Sequence, residues 1–182
     1  MKIRFLLLGL LGGAALWLMT AAGSPKDRMA TIGFYNVENL FDTQDDPNTN
    51  DNQFLPEGDY GWTKEHLGIK LDNLARVISE LGDEDGPEIL GLAEVENRAV
   101  VEKLVNNKLL KKHGYAVVHA ESPDQRGIDC ALIYKEKFFV PLYQESYTIN
   151  LRDSNPDLTT RDILLVKGIF AKDHELTVLV NH

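Results

Sequence analysis

A layered α/β sandwich with mixed, largely antiparallel sheets is the fold class this sequence predicts, and three observations predict it. In the first half of the chain two short apolar runs that read as strands alternate with two amphipathic helical patterns. In the second half, strand patterns follow one another with no helix between them. A β-α-β-α order that gives way to strands alone fits helices laid on packed sheets, not a repeating parallel barrel. There is no internal repeat and no low-complexity tract.

The N-terminal stretch has to be separated first. Lys2 and Arg4 precede Phe5 to Met19, a run that is apolar apart from its glycines, and Thr20-Ala21-Ala22 offers small residues before Gly23. Its 15 residues fall short of the ~20 that span a bilayer, so a cleaved signal peptide over 1–23 is expected and not a stable membrane anchor. No cysteine stands at the end of the run, which excludes a lipid-modified N-terminus. A secreted or periplasmic protein follows. Losing Lys2 and Arg4 takes the net charge from −9 to −11. The 159 residues that remain suit one domain, expected as a monomer. Such acidity argues against binding nucleic acid through a basic surface. It leaves room for a nuclease whose carboxylates hold cations against the phosphate. Cys130 is the only cysteine, so no internal disulfide can form, and its apolar surroundings make it a small buried hydrophobe.

Ala30–Val37 reads as the first strand. Residues 42–61 are rich in Asp, Asn, Pro and Gly, a long polar loop that is either functional or a solvated excursion. Trp62–Leu81 is the clearest helix: Leu67, Leu71, Leu74, Ile78 and Leu81 recur at spacings of 4, 3, 4 and 3 and form one apolar stripe. Thr63 is its expected N-cap, and Gly82 stands where a left-handed residue would end it. Glu88–Val95 is a second strand. Asn97 caps a second helix with Val100, Val101, Leu104, Val105 and Leu109 inside and Gly114 at its end. Strands are expected over 115–120, 128–134 and 138–143, the last interrupted by Pro141, then a turn at Asn155-Pro156-Asp157. Two β runs, 163–170 and 176–180, flank a hairpin turn at Lys172-Asp173-His174.

The chemistry-bearing residues gather at strand ends. Asn36 ends the first strand and Glu94 the second, and helical connections place such ends on one edge of a sheet, where α/β sites form. An amide oxygen and a carboxylate there make a partial site for Mg²⁺, with waters completing the octahedron. A structural or solvated Glu94 is the alternative, and Glu38 and Glu96 lie close enough to compete for the role. His66, His113, His119 and His174 show no metal-site spacing and read as surface or helix-end residues.

Five segments carry a resemblance. Phe34-Tyr-Asn36-Val-Glu-Asn-Leu40 resembles the opening motif of the endonuclease/exonuclease/phosphatase (DNase-I-like) superfamily, in which a first strand delivers an Asn beside the metal. Ile89-Leu-Gly-Leu-Ala-Glu94-Val resembles its second motif, although Ala93 stands where a Gln usually precedes the metal-binding Glu. Arg126-Gly-Ile-Asp129-Cys-Ala-Leu-Ile-Tyr resembles the central strand. Thr159-Thr-Arg161-Asp-Ile-Leu-Leu-Val resembles the strand whose Arg contacts phosphate, and Val178-Leu-Val-Asn-His182 the strand that ends in a catalytic or phosphate-binding His.

The resemblance implies a DNase-I-like sandwich, of which residues 24–182 are expected to be the N-terminal half to two-thirds. It also implies an enzyme that hydrolyses phosphoesters with Mg²⁺ or Mn²⁺. Glu94 and Asn36 would be the metal residues, Arg161 and His182 catalytic, and Arg161, His182 and Asp129 phosphate-binding. Alternatives stand beside these roles. Arg161 offers either a fork for phosphate or an ion pair with Asp162 or another nearby carboxylate. His182 either protonates a leaving oxygen, holds a phosphate oxygen, or frays at the chain end. Asp129 either orients a neighbour or bonds backbone. No Gly-Asp-Phe-Asn or Ser-Asp-His segment occurs in the sequence, so the water-activating residues of the superfamily are missing, and an inactive, poorly soluble chain is expected. An exported endonuclease or phosphodiesterase acting on DNA or RNA is the leading reading. A phosphatase, a phospholipid phosphodiesterase, or a non-catalytic exported binding protein are the others.

Overall fold

The computed structural model describes residues 30–82, 85–150 and 159–182. The signal-peptide reading over 1–23 and the turn read at Asn155–Asp157 lie outside the described residues. Seven strands form two sheets. The first sheet has the order β1-β2-β4-β3, from β1 (Ile32–Leu40), β2 (Ile89–Val95), β3 (Tyr115–His119) and β4 (Asp129–Lys135). β1 and β2 run parallel, joined by the helix α1 (Lys64–Glu80), while β4 is antiparallel to both β2 and β3. The second sheet is an antiparallel meander of β5 (Phe139–Tyr147), β6 (Ile163–Phe170) and β7 (His174–Val180).

Apolar spacing decides which face of each element is covered. Leu67, Leu74, Ala75 and Ile78 of α1, with Val100, Val101, Leu104 and Val105 of α2 (Arg98–Val105), pack on Leu90, Leu92, Val117, Ala131 and Ile133. The opposite face of the same sheet presents Ile89, Val118, Cys130, Leu132 and Tyr134 to Phe139, Leu164, Val166 and Val180 of the second sheet. The result is three layers, helices on sheet on sheet. β2 and β4 are therefore covered on both faces, which is why they read as continuous apolar runs without alternation. At Gly91 the sheets approach so closely that an added Cβ would lie 3.1 Å from Val180 Cγ1.

Caps and breakers fall where their chemistry places them. Thr63 Oγ1 accepts from His66 N and Asn97 Oδ1 from Val100 N, each satisfying a backbone donor that a helix start leaves unpaired. Gly82 takes φ +77, as its place after α1 demands. The second helix ends earlier than the apolar pattern suggests. It stops at Val105 because Asn106 and Asn107 turn their side chains onto backbone, Asn106 Nδ2 donating to Glu102 O and Asn107 Oδ1 accepting from Leu109 N. Leu109 thus packs from a turn, and Gly114 ends a short 3-10 segment (Lys111–His113). β5 continues to Tyr147, with a register shift between Pro141 and Tyr143 that absorbs the proline's missing donor.

The polar loop 42–61 is folded onto the body. Phe54 stacks on Phe41 with centroids 4.1 Å apart, and Trp62 Nε1 donates to Phe41 O. Asp42 and Asp51 are buried, and Asn50 N donates to Gln125 O, tying the loop to the β3–β4 connection. Among the described residues no helix is long and apolar enough to cross a membrane.

Candidate active site

The parallel pairing of β1 with β2 sets Asn36 opposite Ala93, and then both strands break register, β1 between Asn36 and Leu40 and β2 between Ala93 and Val95. Glu38, Asn39 and Glu94 adopt φ of +54, +59 and +64 within these irregularities. Positive φ costs an L-residue other than Asn or Asp on the order of 1–2 kcal/mol. Two such residues, Glu38 and Glu94, on either side of the pairing are strain held by the surrounding fold. The bulge re-aims Glu94 out of the alternation that would otherwise bury it among β2's neighbours.

The side chains that result form one connected chain. Asn36 Nδ2 donates to Glu94 Oε1 at 3.0 Å, and Asn39 N donates to Glu94 Oε2 at 3.0 Å. His182, just beyond β7, places Nε2 3.4 Å from Glu94 Oε1 and 3.1 Å from Asn36 Nδ2. Arg161 Nη2 reaches His182 Nδ1 at 2.6 Å, and Arg161 Nη1 donates to Asp124 Oδ2 at 3.0 Å. Four of the five residues singled out in the sequence, Asn36, Glu94, Arg161 and His182, thus meet at one rim.

Their protonation logic is informative. A guanidinium only donates, so His182 Nδ1 must accept and a neutral ring carries its proton on Nε2. Nε2–H can then serve Glu94 Oε1, but its contact with Asn36 Nδ2 brings donor against donor. Arg161 Nε is also buried without a partner. An anion held by Arg161 together with a cation on Glu94 would relieve that opposition. The carboxylate of Glu94 has two of its roughly four acceptor positions filled, leaving lone pairs for a hard divalent ion with waters. Asn36 Oδ1 accepts from Glu38 N at 2.8 Å. In this arrangement the amide steadies Glu94 through its nitrogen, and only the second lone pair of its oxygen remains for an ion.

Asp129 lies elsewhere. It is buried beside His119, with Oδ2 3.2 Å from His119 Nε2, and makes no hydrogen bond to the Glu94 group or to backbone. Of the competing glutamates, Glu38 contributes backbone: its N holds Asn36 and its O accepts from Lys70 Nζ at 2.7 Å. Glu96 accepts from Asp42 N, and burial, with Asp42, Asp51 and Asp46 nearby, pushes its carboxyl up to about 7.

Several participants carry no sequence signal strong enough to find them. Asp124, in what reads as a plain turn, anchors Arg161 and takes three further bonds from Arg126. Burial works to raise the Asp124 carboxyl, but the bonds from Arg126 and Arg161 outweigh it and hold it low. Arg161 is therefore ion-paired, with Asp124 and not Asp162. Lys70, on the side of α1 that faces the end of β1, has its ammonium destabilised by burial despite the opposing pull of Glu38 and Glu94. Reading the histidines as surface or helix-end residues is corrected at His119, whose side chain is buried where β3 and β4 pair. His113 is a helix-end residue, the last of the 3-10 turn, with its side chain buried. Cys130 is buried, free, and its thiol is pushed up to about 11, consistent with an inert core residue.

Several solved structures are similar to this chain. ANGEL2, a 2′,3′-cyclic phosphatase in complex with adenosine-2′,3′-vanadate, superposes with a TM-score of 0.52 at 16% identity, over 81% of this chain and 39% of its own. A humanized D. rerio TDP2 gives 0.49 at 14% identity, over 82% and 45%. A family protein from Bacteroides thetaiotaomicron gives 0.47 at 12%, over 82% and 49%. The chain spans less than half the length of each of these structures. No curated protein matches it. The sequence profile of the Endonuclease/Exonuclease/phosphatase family matches residues 31–182, from the start of β1 through the Asn36, Glu94, Arg161 and His182 positions, and the chain belongs to that family.

Proposed function

We propose that Asn36, Glu94, Arg161 and His182 form the ion- and phosphate-binding part of a phosphoester hydrolase site that depends on Mg²⁺ or Mn²⁺. We propose further that its substrate is a nucleic-acid phosphodiester, DNA or RNA, met outside the cytoplasm after export by the 1–23 signal peptide. The observation that supports this reading is the convergence of those four side chains in one hydrogen-bonded chain. A bound divalent ion supplies charge stabilisation at a phosphoryl oxygen. Glu94 holds that ion, and Asn36 fixes the carboxylate. Arg161, braced by Asp124, offers its planar fork to a non-bridging oxygen. The Nε2–H of His182 points at the same space and can hold or protonate an oxygen there. A structural relative that is a 2′,3′-cyclic phosphatase carrying a nucleoside vanadate supports a nucleotide phosphoester over a phospholipid.

Binding tests this directly. Calorimetric titration with Mn²⁺ is expected to lose one binding event, or at least tenfold in affinity, in Glu94→Gln. Fluorescence anisotropy with a short labelled single-stranded DNA should show Mn²⁺-dependent binding that Arg161→Ala weakens. Unchanged Mn²⁺ affinity in Glu94→Gln would remove the basis of the reading.

A further inference from the structure

We propose that His119, Glu121 and Asp129 form a second binding site, for a borderline transition-metal ion of the Zn²⁺ class. It is separate from the Glu94 group and does not rest on the hydrolase reading. The pairing of β3 with β4 sets His119 opposite Ala131, and continuing that register by two residues sets Glu121 opposite Asp129. Period-two alternation then places His119 and Asp129 on the helix-facing side, which also carries Val117 and Ala131, and Glu121 follows just beyond the end of β3.

Burial and unmet valence distinguish this cluster from a surface ion pair. The His119 and Asp129 side chains are 3% and 1% exposed. His119 Nε2 and Asp129 Oδ2 approach to 3.2 Å without the alignment of a hydrogen bond, and the one bond to Asp129 comes from inside the cluster, from a Glu121 carboxyl that burial and then Asp129 itself raise. Burying a carboxylate with no donor from outside the cluster costs several kcal/mol. A buried His–Asp ion pair would be expected to align its N–H with the carboxylate, and here it does not. Lone pairs that lie close without facing each other are arranged for a third atom between them.

The spacing suits a metal. Ligands about 2.1 Å from a tetrahedral centre stand about 3.4 Å apart. The His119–Asp129 pair is already at that separation, and one ligand atom from each of the three residues lies within 4.8 Å of the others. Glu121 is 70% exposed, with Oε1 3.7 Å from His119 Nδ1. That nitrogen is not the one facing Asp129, so Glu121, exposed and free to turn, swings towards Nε2 to share the ion and marks the route of entry. One imidazole and two carboxylates favour Zn²⁺ over Mg²⁺, which dehydrates reluctantly and prefers oxygen.

An ion here would clasp the two ends of the 120–128 connection, the segment that carries Asp124 and Arg126. Those residues brace Arg161. The site would set how firmly that loop presents Arg161 to the neighbouring centre.

Titration of the chain with ZnCl₂, read by calorimetry, and with CoCl₂, read by visible absorption, tests the proposal. One Zn²⁺ equivalent is expected in the wild type, with the intense d–d bands of low-symmetry Co²⁺. Glu94→Gln should keep both signals, whereas Glu121→Gln and Asp129→Asn should weaken Zn²⁺ at least tenfold and lose the bands. Zn²⁺ should raise Tm in the wild type and not in Glu121→Gln, an exposed change that leaves the core intact. The proposal is overturned if Glu121→Gln binds Zn²⁺ as the wild type does, if Glu94→Gln alone abolishes binding, or if no Zn²⁺ binds.

Discussion

Glu94 shows how a single residue departs from its local pattern for the sake of a site. Its φ of +64 is a conformation that glycine or asparagine adopts more readily, and it is kept by bonds from Asn36 Nδ2 and Asn39 N to the two carboxylate oxygens. Removing the first of those bonds should loosen the ligand without touching the fold. Asn36→Ala is expected to weaken Mn²⁺ binding tenfold to a hundredfold, the usual effect of losing a group that orients a ligand. Its Tm should stay within a degree or two of wild type, and calorimetry beside thermal denaturation checks both. Glu96 makes a different prediction. Its carboxyl is lifted from 4.5 to about 7, by burial first. The folded state therefore favours the protonated form. The stability this contributes is full below pH 4.5 and is lost as pH rises through 7. After allowance for solvent screening it amounts to ~1–2 kcal/mol. Thermal melts from pH 4.5 to 8 should show that decline, and Glu96→Gln should flatten it, since an amide oxygen still accepts from Asp42 N.

At the scale of elements, the stripes and caps were legible because they rest on short-range chemistry. The leucine spacing, Thr63, Asn97 and Gly82 each act within about four residues of themselves, so the helices and their starts could be read directly. Asn36 and Glu94 could be placed on neighbouring strands for the same reason, with a helix joining parallel strands, although β1 does not end at Asn36 but runs on, out of register, to Leu40. Three things could not be read. The end of α2 depends on Asn106 and Asn107 bonding backbone in place of continuing the helix. The bracing of Arg161 by Asp124 crosses 37 positions. The burial of His119 follows from pairing with β4, and from nothing adjacent to it in the chain. A further long-range contact carries its own test. Lys135, fully buried at the end of β4, donates to Gly86 O at 2.7 Å and Glu88 Oε1 at 3.3 Å. Lys135→Ala leaves the Glu88 carboxylate buried with only Thr31 N as partner. It should cost about 3–5 kcal/mol, measured by urea denaturation.

The whole molecule is organised by one shared layer. β2 and β4 form the floor of the helix-side core and the roof of the inter-sheet core. Two cores with a common sheet should unfold together. Ile78→Ala on the helix side and Leu164→Ala on the sheet side are each expected to cost about 2–4 kcal/mol. Each should shift one cooperative transition seen alike by far-ultraviolet and near-ultraviolet circular dichroism. Two separable transitions would show that the layer does not couple them. The same layer positions the site, because β2 delivers Glu94 beside β1's Asn36, and β6 and β7 of the facing sheet lead Arg161 and His182 to the same end. The measurement that bears most directly on this arrangement is anomalous scattering from a crystal of the chain soaked in Mn²⁺. A manganese peak within bonding distance of a Glu94 carboxylate oxygen, about 2.2 Å, is predicted. Well-ordered Glu94 with no peak beside it, at Mn²⁺ concentrations that fill other sites, would contradict the account.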